Sequence, residues 1–177
     1  GVTICEDIWN DGESELAQRR YHANPIEDLR AAGVDAVVNL SASPFTLTKR
    51  EGRPAMLSDV ARRSGAPLVF VNQVGGNDDL LFDGDSSVFA PDGARRARLA
   101  RFEEDFAVVD LDADGEGPMR DQPETDASAA LAALTMGTRD YARKCGFERA
   151  VVGLSGGIDS ALTACIAARG LGADRLQ

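Results

Sequence analysis

The chain has 177 residues, of which 44% are hydrophobic, and a formal net charge of −10. A chain of this length can form one domain or parts of two, since about 100 to 200 residues per domain is typical. The acidic balance argues against a nucleic-acid partner held on a general basic surface. The sequence contains no run of about 18 apolar residues, so we expect no membrane partner. Any phosphate group must therefore be bound by local geometry.

The cysteines and the single histidine narrow the class of protein further. Cys5, Cys145 and Cys165 lie far apart, without the paired spacing of a disulfide framework or a structural zinc site. This usage favours a reducing compartment, and we expect a cytoplasmic protein. His22 lies in the polar run "RRYHANP", where a solvated loop histidine is the simplest interpretation. A Ser-His-Asp hydrolase would need that histidine, so this class is set aside.

The first 112 residues alternate buried strands with helices, which indicates an α/β layered domain. We expect a strand at 1–5, a polar loop at 11–25, a helix at 25–33, a strand at 34–45, a helix in the second half of 49–65 and a strand at 66–76. Around the turn "APDG" the pattern changes to short alternating strands, which predict a hairpin or meander over 83–112.

An acidic segment with two glycines and two prolines follows, and its composition indicates a linker at 113–125. Beyond it we expect a helix capped by Asp126, a strand at 149–155, and a last helix that ends at Gly170. Helix, strand and helix in about 50 residues cannot bury a sheet alone. Because the initiator methionine is also missing, we expect the middle of a longer polypeptide.

A glycine-rich turn, "SGGIDS", separates that strand from the last helix. Backbone N–H groups at the beginning of a helix favour an anion, and Gly156 and Gly157 let the backbone approach it without a Cβ. Ser155 and Ser160 add hydroxyl donors, so the turn suits a phosphate. Asp159 would repel a polyphosphate unless a cation lay between them, which implies Mg²⁺. The alternative is a capped turn without a ligand; the Walker and dinucleotide spacings are both absent.

The segment "GLSGGIDSAL" resembles the S-G-G-x-D-S signature of the ATP pyrophosphatase, or PP-loop, family, and "RDYARKCGFERAVV" is similar to the lead-in of NAD synthetases. Members of that family adenylate a carbonyl or carboxylate with ATP, release pyrophosphate, and let ammonia or another nucleophile displace AMP. The resemblance implies ATP as a substrate and Mg²⁺ held by Asp159. It also implies that the ATP phosphates are bound by Gly153, Leu154, Ser155, Gly156, Gly157, Ile158, Asp159 and Ser160.

Cys5 closes the first apolar segment and is followed by "EDIW". A thiol at the end of a strand can be exposed to substrate, with the next backbone N–H available to an oxyanion. Taken alone, a free cysteine in an apolar strand is more often inert packing. For Ser43 and Lys49 the residues alone favour a turn before Pro44 and a solvated helix start.

Three longer segments change that balance. "GVTICEDIW", "VVNLSASPF" and "VFVNQVGGNDDLLFDGDSSVFAPDG" resemble the second half of a nitrilase-type amidohydrolase domain, most closely the glutaminase domain of glutamine-dependent NAD synthetases. That family uses a Glu-Lys-Cys triad, in which glutamate is the base, lysine holds the oxyanion and cysteine forms a thioester. The resemblance implies that Cys5 is the nucleophile and that Ser43 and Lys49 contact glutamine. The triad's glutamate and lysine precede the cysteine, so Lys49 cannot replace that lysine.

Together the resemblances imply half of an αββα nitrilase-like sandwich at 1–112 and the start of a doubly wound, parallel PP-loop domain at 126–177. The expected function is that of a ligase that hydrolyses glutamine and passes ammonia to adenylated nicotinate adenine dinucleotide, giving NAD⁺, AMP, pyrophosphate and glutamate. We expect a homo-oligomer, with the isolated chain inactive. The alternatives are another PP-loop amidotransferase, such as a GMP or asparagine synthetase, and a non-catalytic nucleotide-binding fragment. The nitrilase-like lead and the shortage of histidine disfavour the first alternative.

Overall fold

The computed structural model describes residues 1–10, 22–112, 115–123 and 125–177. Most of the polar loop predicted at 11–25 therefore lies outside the described residues. The described strands are β1 (Val2–Ile4), β2 (Val37–Ser41), β3 (Leu68–Asn72), β4 (Val74–Asn77), β5 (Leu80–Asp83), β6 (Ser87–Phe89) and β7 (Arg95–Arg98). The described α-helices are α1 (Pro25–Ala32), α2 (Lys49–Ser64), α3 (Asp126–Cys145) and α4 (Ile158–Leu171).

Five strands form one mixed sheet in the order β1-β2-β3-β6-β7. The first three run parallel, and β6 and β7 continue the sheet as an antiparallel hairpin. The "APDG" turn joins β6 to β7, so the predicted hairpin and the predicted α/β class are both confirmed. Strands β4 and β5 form a separate antiparallel hairpin that leaves the sheet at Gln73.

One face of the sheet carries the main core. The side chains of Val37, Leu68 and Phe70 point to this face and are fully buried against the α1 and α2 side, where Met56 and Val60 contribute. Because successive strand residues point to opposite faces, the alternate positions lie on the other side of the sheet. That second face exposes apolar side chains, namely Val2, Ile4, Leu40 and Val71.

Helices α2 and α3 begin at residues other than those predicted. Helix α2 begins at Lys49 and includes Pro54, although a proline inside a helix removes one N–H donor to the preceding turn. Helix α3 begins after Thr125, whose hydroxyl accepts from the backbone N–H of Ser128, so Thr125 and not Asp126 is the N-cap. A capping box with Ser128 explains that choice.

The predicted stop at Gly170 is wrong, because α4 continues to Leu171 and Gly172 is the residue that ends it. Gly170 instead lies at the crossing of α4 and α3, where an added Cβ would meet the carbonyl oxygen of Thr135 at 2.9 Å. Two large apolar side chains one helical turn apart at the beginning of α4 are exposed, Ile158 at 80% and Leu162 at 52%.

The predicted strand at 149–155 is represented by one parallel bridge between Ala150 and Leu176. The segment before α3 is pinned to the sheet: residues near Met119 pair in parallel with β7, and Gln122 donates its side-chain amide to the Leu99 carbonyl. None of the described helices is long and apolar enough to cross a membrane.

Candidate functional site

Cys5 lies where β1 turns sharply into a short 3-10 helix, Cys5–Trp9. Its φ of +47° is in the left-handed region, which is uncommon for a residue with a side chain and costs about 1–2 kcal/mol. Asp7 closes the turn, because its carboxylate accepts the backbone N–H of Ile4 at 2.8 Å. The thiol is half-buried and unpaired with any other cysteine. A strained turn of this kind presents the sulfur at the end of a parallel strand.

The structure brings Ser43 and Lys49 together at the same end of the sheet. Lys49 is the first residue of α2, and its Nζ lies 3.5 Å from Ser43 Oγ and 3.3 Å from the Pro44 carbonyl oxygen. The same ammonium group lies 5.5 Å from the centre of the Trp9 ring, within the range of a cation–π contact. The sequence did not reveal this role of Trp9, because the contact joins residues 40 positions apart.

The ammonium of Lys49 is in a distinctive electrostatic environment. Burial lowers its pKa below the ordinary value, and the neighbouring Arg53 guanidinium lowers it further. Asp83, Cys5 and Glu6 act in the opposite direction without cancelling the effect. The predicted nucleophile and the predicted substrate-binding lysine therefore lie within electrostatic range of each other, next to a buried acid.

Two buried ion pairs lie beneath this cluster. Arg53 Nη1 contacts both carboxylate oxygens of Asp83, at 2.9 and 3.0 Å, and both side chains are 1% exposed. Arg101 pairs with Asp85 at 2.6 Å and approaches Asp83 at 3.8 Å. Burial raises the pKa of Asp83, while the Arg53 guanidinium opposes that change. No local pattern in the sequence marks these residues, since surface and buried arginines look alike in a polar segment.

The glycine-rich turn forms a second candidate site, at the beginning of α4. Gly157 is the N-cap, and Gly156 has a φ of +85°, a backbone conformation that favours glycine. Ser155 and Ser160 hold the turn, with their hydroxyl oxygens 3.2 Å apart and the Ser155 N–H donating to Ser160 Oγ. Apart from the two neighbouring residues, no atom of the described part of the chain lies within 4 Å of the position that a Cβ would take on Gly156, so the turn is open on that side. The turn faces open space with its hydrogen-bonding groups exposed.

Asp159 lies in the first turn of α4 and is exposed. No group of three or more histidine, cysteine, aspartate or glutamate side chains that could hold a metal ion occurs among the described ranges. A Mg²⁺ ion at a nucleotide site typically uses one or two carboxylates together with phosphate oxygens. A single exposed carboxylate beside an open phosphate-type turn therefore fits that kind of ion.

The hairpin β4–β5 connects the two candidate sites. Phe45, beside the Ser43 segment, donates its backbone N–H to the Leu81 carbonyl in this hairpin. On the other side Asp140 of α3 accepts the backbone N–H of Gly76 at 3.0 Å, and Lys144 donates to the Gly76 carbonyl. Helix α3 in turn packs along α4, which begins at the glycine-rich turn.

Two family models match this chain, and each covers one part of it. The carbon-nitrogen hydrolase model matches residues 17–121, and the NAD synthase model matches residues 130–177. The first match covers more than half of the chain and includes the Ser43 and Lys49 segment. The second includes the glycine-rich turn and the whole of α4.

Similar proteins cover both parts without a break. The glutamine-dependent NAD(+) synthetase of Synechocystis sp. is 46% identical over 181 residues, which is 99% of this chain and 32% of that protein. That of Rhodobacter capsulatus is 40% identical over 182 residues, 100% of this chain and 31% of that protein. The solved glutamine-dependent NAD+ synthetase from Acinetobacter baumannii in complex with ADP superposes with a TM-score of 0.84 at 38% identity, over 100% of this chain and 32% of that one. The chain thus spans about a third of these relatives.

Proposed function

The chain belongs to the carbon-nitrogen hydrolase family, and from that premise we propose that it works within a glutamine-hydrolysing NAD⁺ synthetase. In this proposal the first part carries the cysteine nucleophile that releases ammonia from glutamine. The second part binds ATP at the glycine-rich turn and uses the ammonia. Glutamine, ATP and nicotinate adenine dinucleotide are the substrates, in a cytoplasmic homo-oligomer.

One observation supports this proposal more than the others do. The same relatives, the glutamine-dependent NAD(+) synthetases, align with both the nitrilase-like part and the glycine-rich turn. The Synechocystis protein matches 99% of the chain at 46% identity, so similarity does not stop at the segment between them. An amidohydrolase alone would not need the second part. A nucleotide-binding protein alone would not need Cys5 in a strained turn at the same end of the sheet as Lys49.

The chemistry of the first part begins with the Cys5 sulfur. In the proposed reaction the thiolate attacks the γ-carboxamide carbon of glutamine, the C–N bond breaks with proton transfer to nitrogen, and ammonia leaves a γ-glutamyl thioester. Water then cleaves the thioester and regenerates the thiol with release of glutamate. Lys49 and Ser43 would hold the amino-acid end of the substrate, since an ammonium and a hydroxyl complement a carboxylate.

The second part would bind the ATP phosphates along residues 153–160. The position of this turn at the beginning of α4, its two glycines and the hydroxyls of Ser155 and Ser160 suit phosphate oxygens. Asp159 would hold Mg²⁺, which neutralises phosphate charge when it is bound. The substrate carboxylate would attack the α-phosphorus with loss of pyrophosphate, and ammonia would then displace AMP to give the amide of NAD⁺.

A chimaera tests the division of labour between the two parts. In the Synechocystis relative, the segment that aligns with this chain, 32% of that protein, is replaced by this chain. Cys5→Ala in that chimaera should lower glutamine-driven NAD⁺ synthesis by roughly a thousandfold or more, because the covalent step is lost. Synthesis from added ammonium salt should be unchanged, since it bypasses the thiol. NAD⁺ formation is measured with each nitrogen source under otherwise equal conditions.

Cys145→Ala is the matched control, because Cys145 is an exposed thiol at the end of α3. It should change neither nitrogen source. Loss of ammonium-driven synthesis in Cys5→Ala would contradict the proposed separation of the two reactions. Retention of glutamine-driven synthesis would remove Cys5 from the mechanism.

A further inference from the structure

One loop carries both residues that are proposed to hold glutamine. Ser43 lies two residues after the end of β2, Lys49 begins α2, and their polar atoms are 3.5 Å apart. A loop of this length allows many separations of its ends, because each of its residues has free backbone torsions. Something outside the loop must therefore set where Ser43 and Lys49 lie.

The Ser43 end is held by Asn72, the last residue of β3. The Asn72 side chain accepts the backbone N–H of Ser43 at 2.9 Å and lies 3.4 Å from the Ser43 carbonyl oxygen as a donor. The same amide donates to the Gly84 carbonyl at 3.0 Å. Asn72 is 7% exposed and Ser43 3%, so these bonds are made away from solvent. One side-chain amide thus pairs with both the backbone N–H and the backbone carbonyl of Ser43.

The Lys49 end is held through Arg53, one helical turn further along α2. Residues four apart lie on the same face of a helix, so Arg53 follows the orientation of Lys49. Both oxygens of Asp83 accept from Arg53 Nη1, at 2.9 and 3.0 Å, in a site that is almost completely buried. Asp83 Oδ1 also lies 3.5 Å from the Asn72 amide nitrogen. The Asp83 carboxylate therefore contacts both Asn72, which holds Ser43, and Arg53, which shares a helix face with Lys49.

Buried charged groups of this kind contribute little net stability to a fold. A buried ion pair gains little over apolar residues of similar volume, because desolvation offsets the Coulomb attraction. Among the described residues, Arg53 also leaves Nε and Nη2 without a hydrogen-bond partner, which adds to the cost. Unlike apolar packing, the hydrogen bonds of the charged and amide groups are directional. They fix the relative placement of the groups they join.

We propose that Asn72, Asp83 and Arg53 are positioning residues that set the separation of Ser43 and Lys49 and, through it, the affinity for the amino-acid end of glutamine. The inference rests on the proposed function and deepens it. None of the three touches the reacting carboxamide in this assignment. Their loss acts on the binding of glutamine and leaves the use of ammonia in the second part intact.

Steady-state kinetics of the same Synechocystis chimaera test the proposal. Asp83→Asn keeps the shape of the side chain and removes its charge. We expect KM for glutamine to rise by roughly tenfold, because displacement of a substrate-holding group by a fraction of an ångström is costly. Ammonium-driven synthesis should not change.

Asp85→Asn is the matched control, because Asp85 is equally buried, pairs with Arg101 and makes no described contact with Asn72 or Arg53. It should lower thermal stability as Asp83→Asn does and leave KM for glutamine unaltered. Asn72→Ala is a second variant, and it leaves no buried charge without its partner. It should raise KM for glutamine in the same way.

A double variant separates positioning from a general loss of structure. If Asp83 acts through Lys49, Asp83→Asn combined with Lys49→Met should have the same KM as Lys49→Met alone. The proposal is overturned if the two changes multiply, if Asp85→Asn raises KM equally, or if Asn72→Ala leaves KM unchanged. An unsubstituted chimaera that uses ammonium but not glutamine would refute the proposed function itself, a result distinct from any of these.

Discussion

Replacing Asp140 by alanine should loosen the β4–β5 hairpin from α3. The residue Asp140 is 3% exposed, and its Oδ2 accepts the backbone N–H of Gly76 at 3.0 Å. Its other oxygen accepts from Arg139 Nε at 3.0 Å. Alanine removes the acceptor that Gly76 uses, in a place where the glycine is itself buried.

The expected size follows from the two bonds. A buried donor left without its partner costs about 1–3 kcal/mol, whereas the ion pair with Arg139 contributes little because the arginine side chain is 47% exposed. We expect the free energy of unfolding to fall by about 2 kcal/mol. For a chain of this size that corresponds to roughly 4–8 °C in Tm. Asp140→Asn should cost less than about 1 kcal/mol, since its amide oxygen can still accept from Gly76.

Thermal and denaturant unfolding of the purified chain measure the global effect, and amide hydrogen exchange measures the local one. Exchange at Gly76 should accelerate by roughly 30-fold in Asp140→Ala if opening of the hairpin becomes easier by about 2 kcal/mol. Equal losses in the alanine and asparagine variants, or unchanged exchange at Gly76, would refute the assignment of this hydrogen bond as the main contact.

The same carboxylate should make stability depend on pH in acid. Burial favours the neutral form of Asp140, but the hydrogen bonds from Gly76 and Arg139 outweigh it and hold its pKa below the ordinary value of 3.8. A lowered pKa in the folded state means that the charged form stabilises the fold. The stability difference between the original chain and Asp140→Asn should therefore be constant above the ordinary pKa and shrink as the pH falls through the lower, folded-state value.

The remaining predictions concern the contacts around α3 and α4. Gly170→Ala should destabilise the chain by about 1–3 kcal/mol in denaturant unfolding, because the new methyl group would meet the Thr135 carbonyl; an unchanged midpoint would show that the helices separate freely. Arg50→Ala should cost only about 0.2–1 kcal/mol, since its partner Asp126 is exposed at 62% of its side chain, and that loss should vanish in high salt. In the chimaera, Asp159→Asn should raise KM for Mg-ATP severalfold with glutamine and with ammonium alike, and unaltered ATP kinetics would count against the metal assignment.

The sequence by itself determined the features that depend on local backbone chemistry. The "APDG" turn forms its hairpin, as predicted, and Gly65 and Gly146 end their helices in the left-handed region that glycine adopts readily. The glycine-rich turn before α4 was also readable, because its glycines and hydroxyls act within a few residues. Family resemblance supplied the roles of Cys5 and its partners, and those roles remain predictions.

Tertiary structure decided which distant residues meet. Asn72 reaches Ser43 across 29 positions and Asp140 reaches Gly76 across 64, and no local pattern encodes such pairs. It also decided that Gly170 packs against α3 instead of ending α4, since the same glycine suits a close helix crossing and a helix stop. Local rules constrain torsions over a few residues, whereas the distances within a site depend on how whole elements pack.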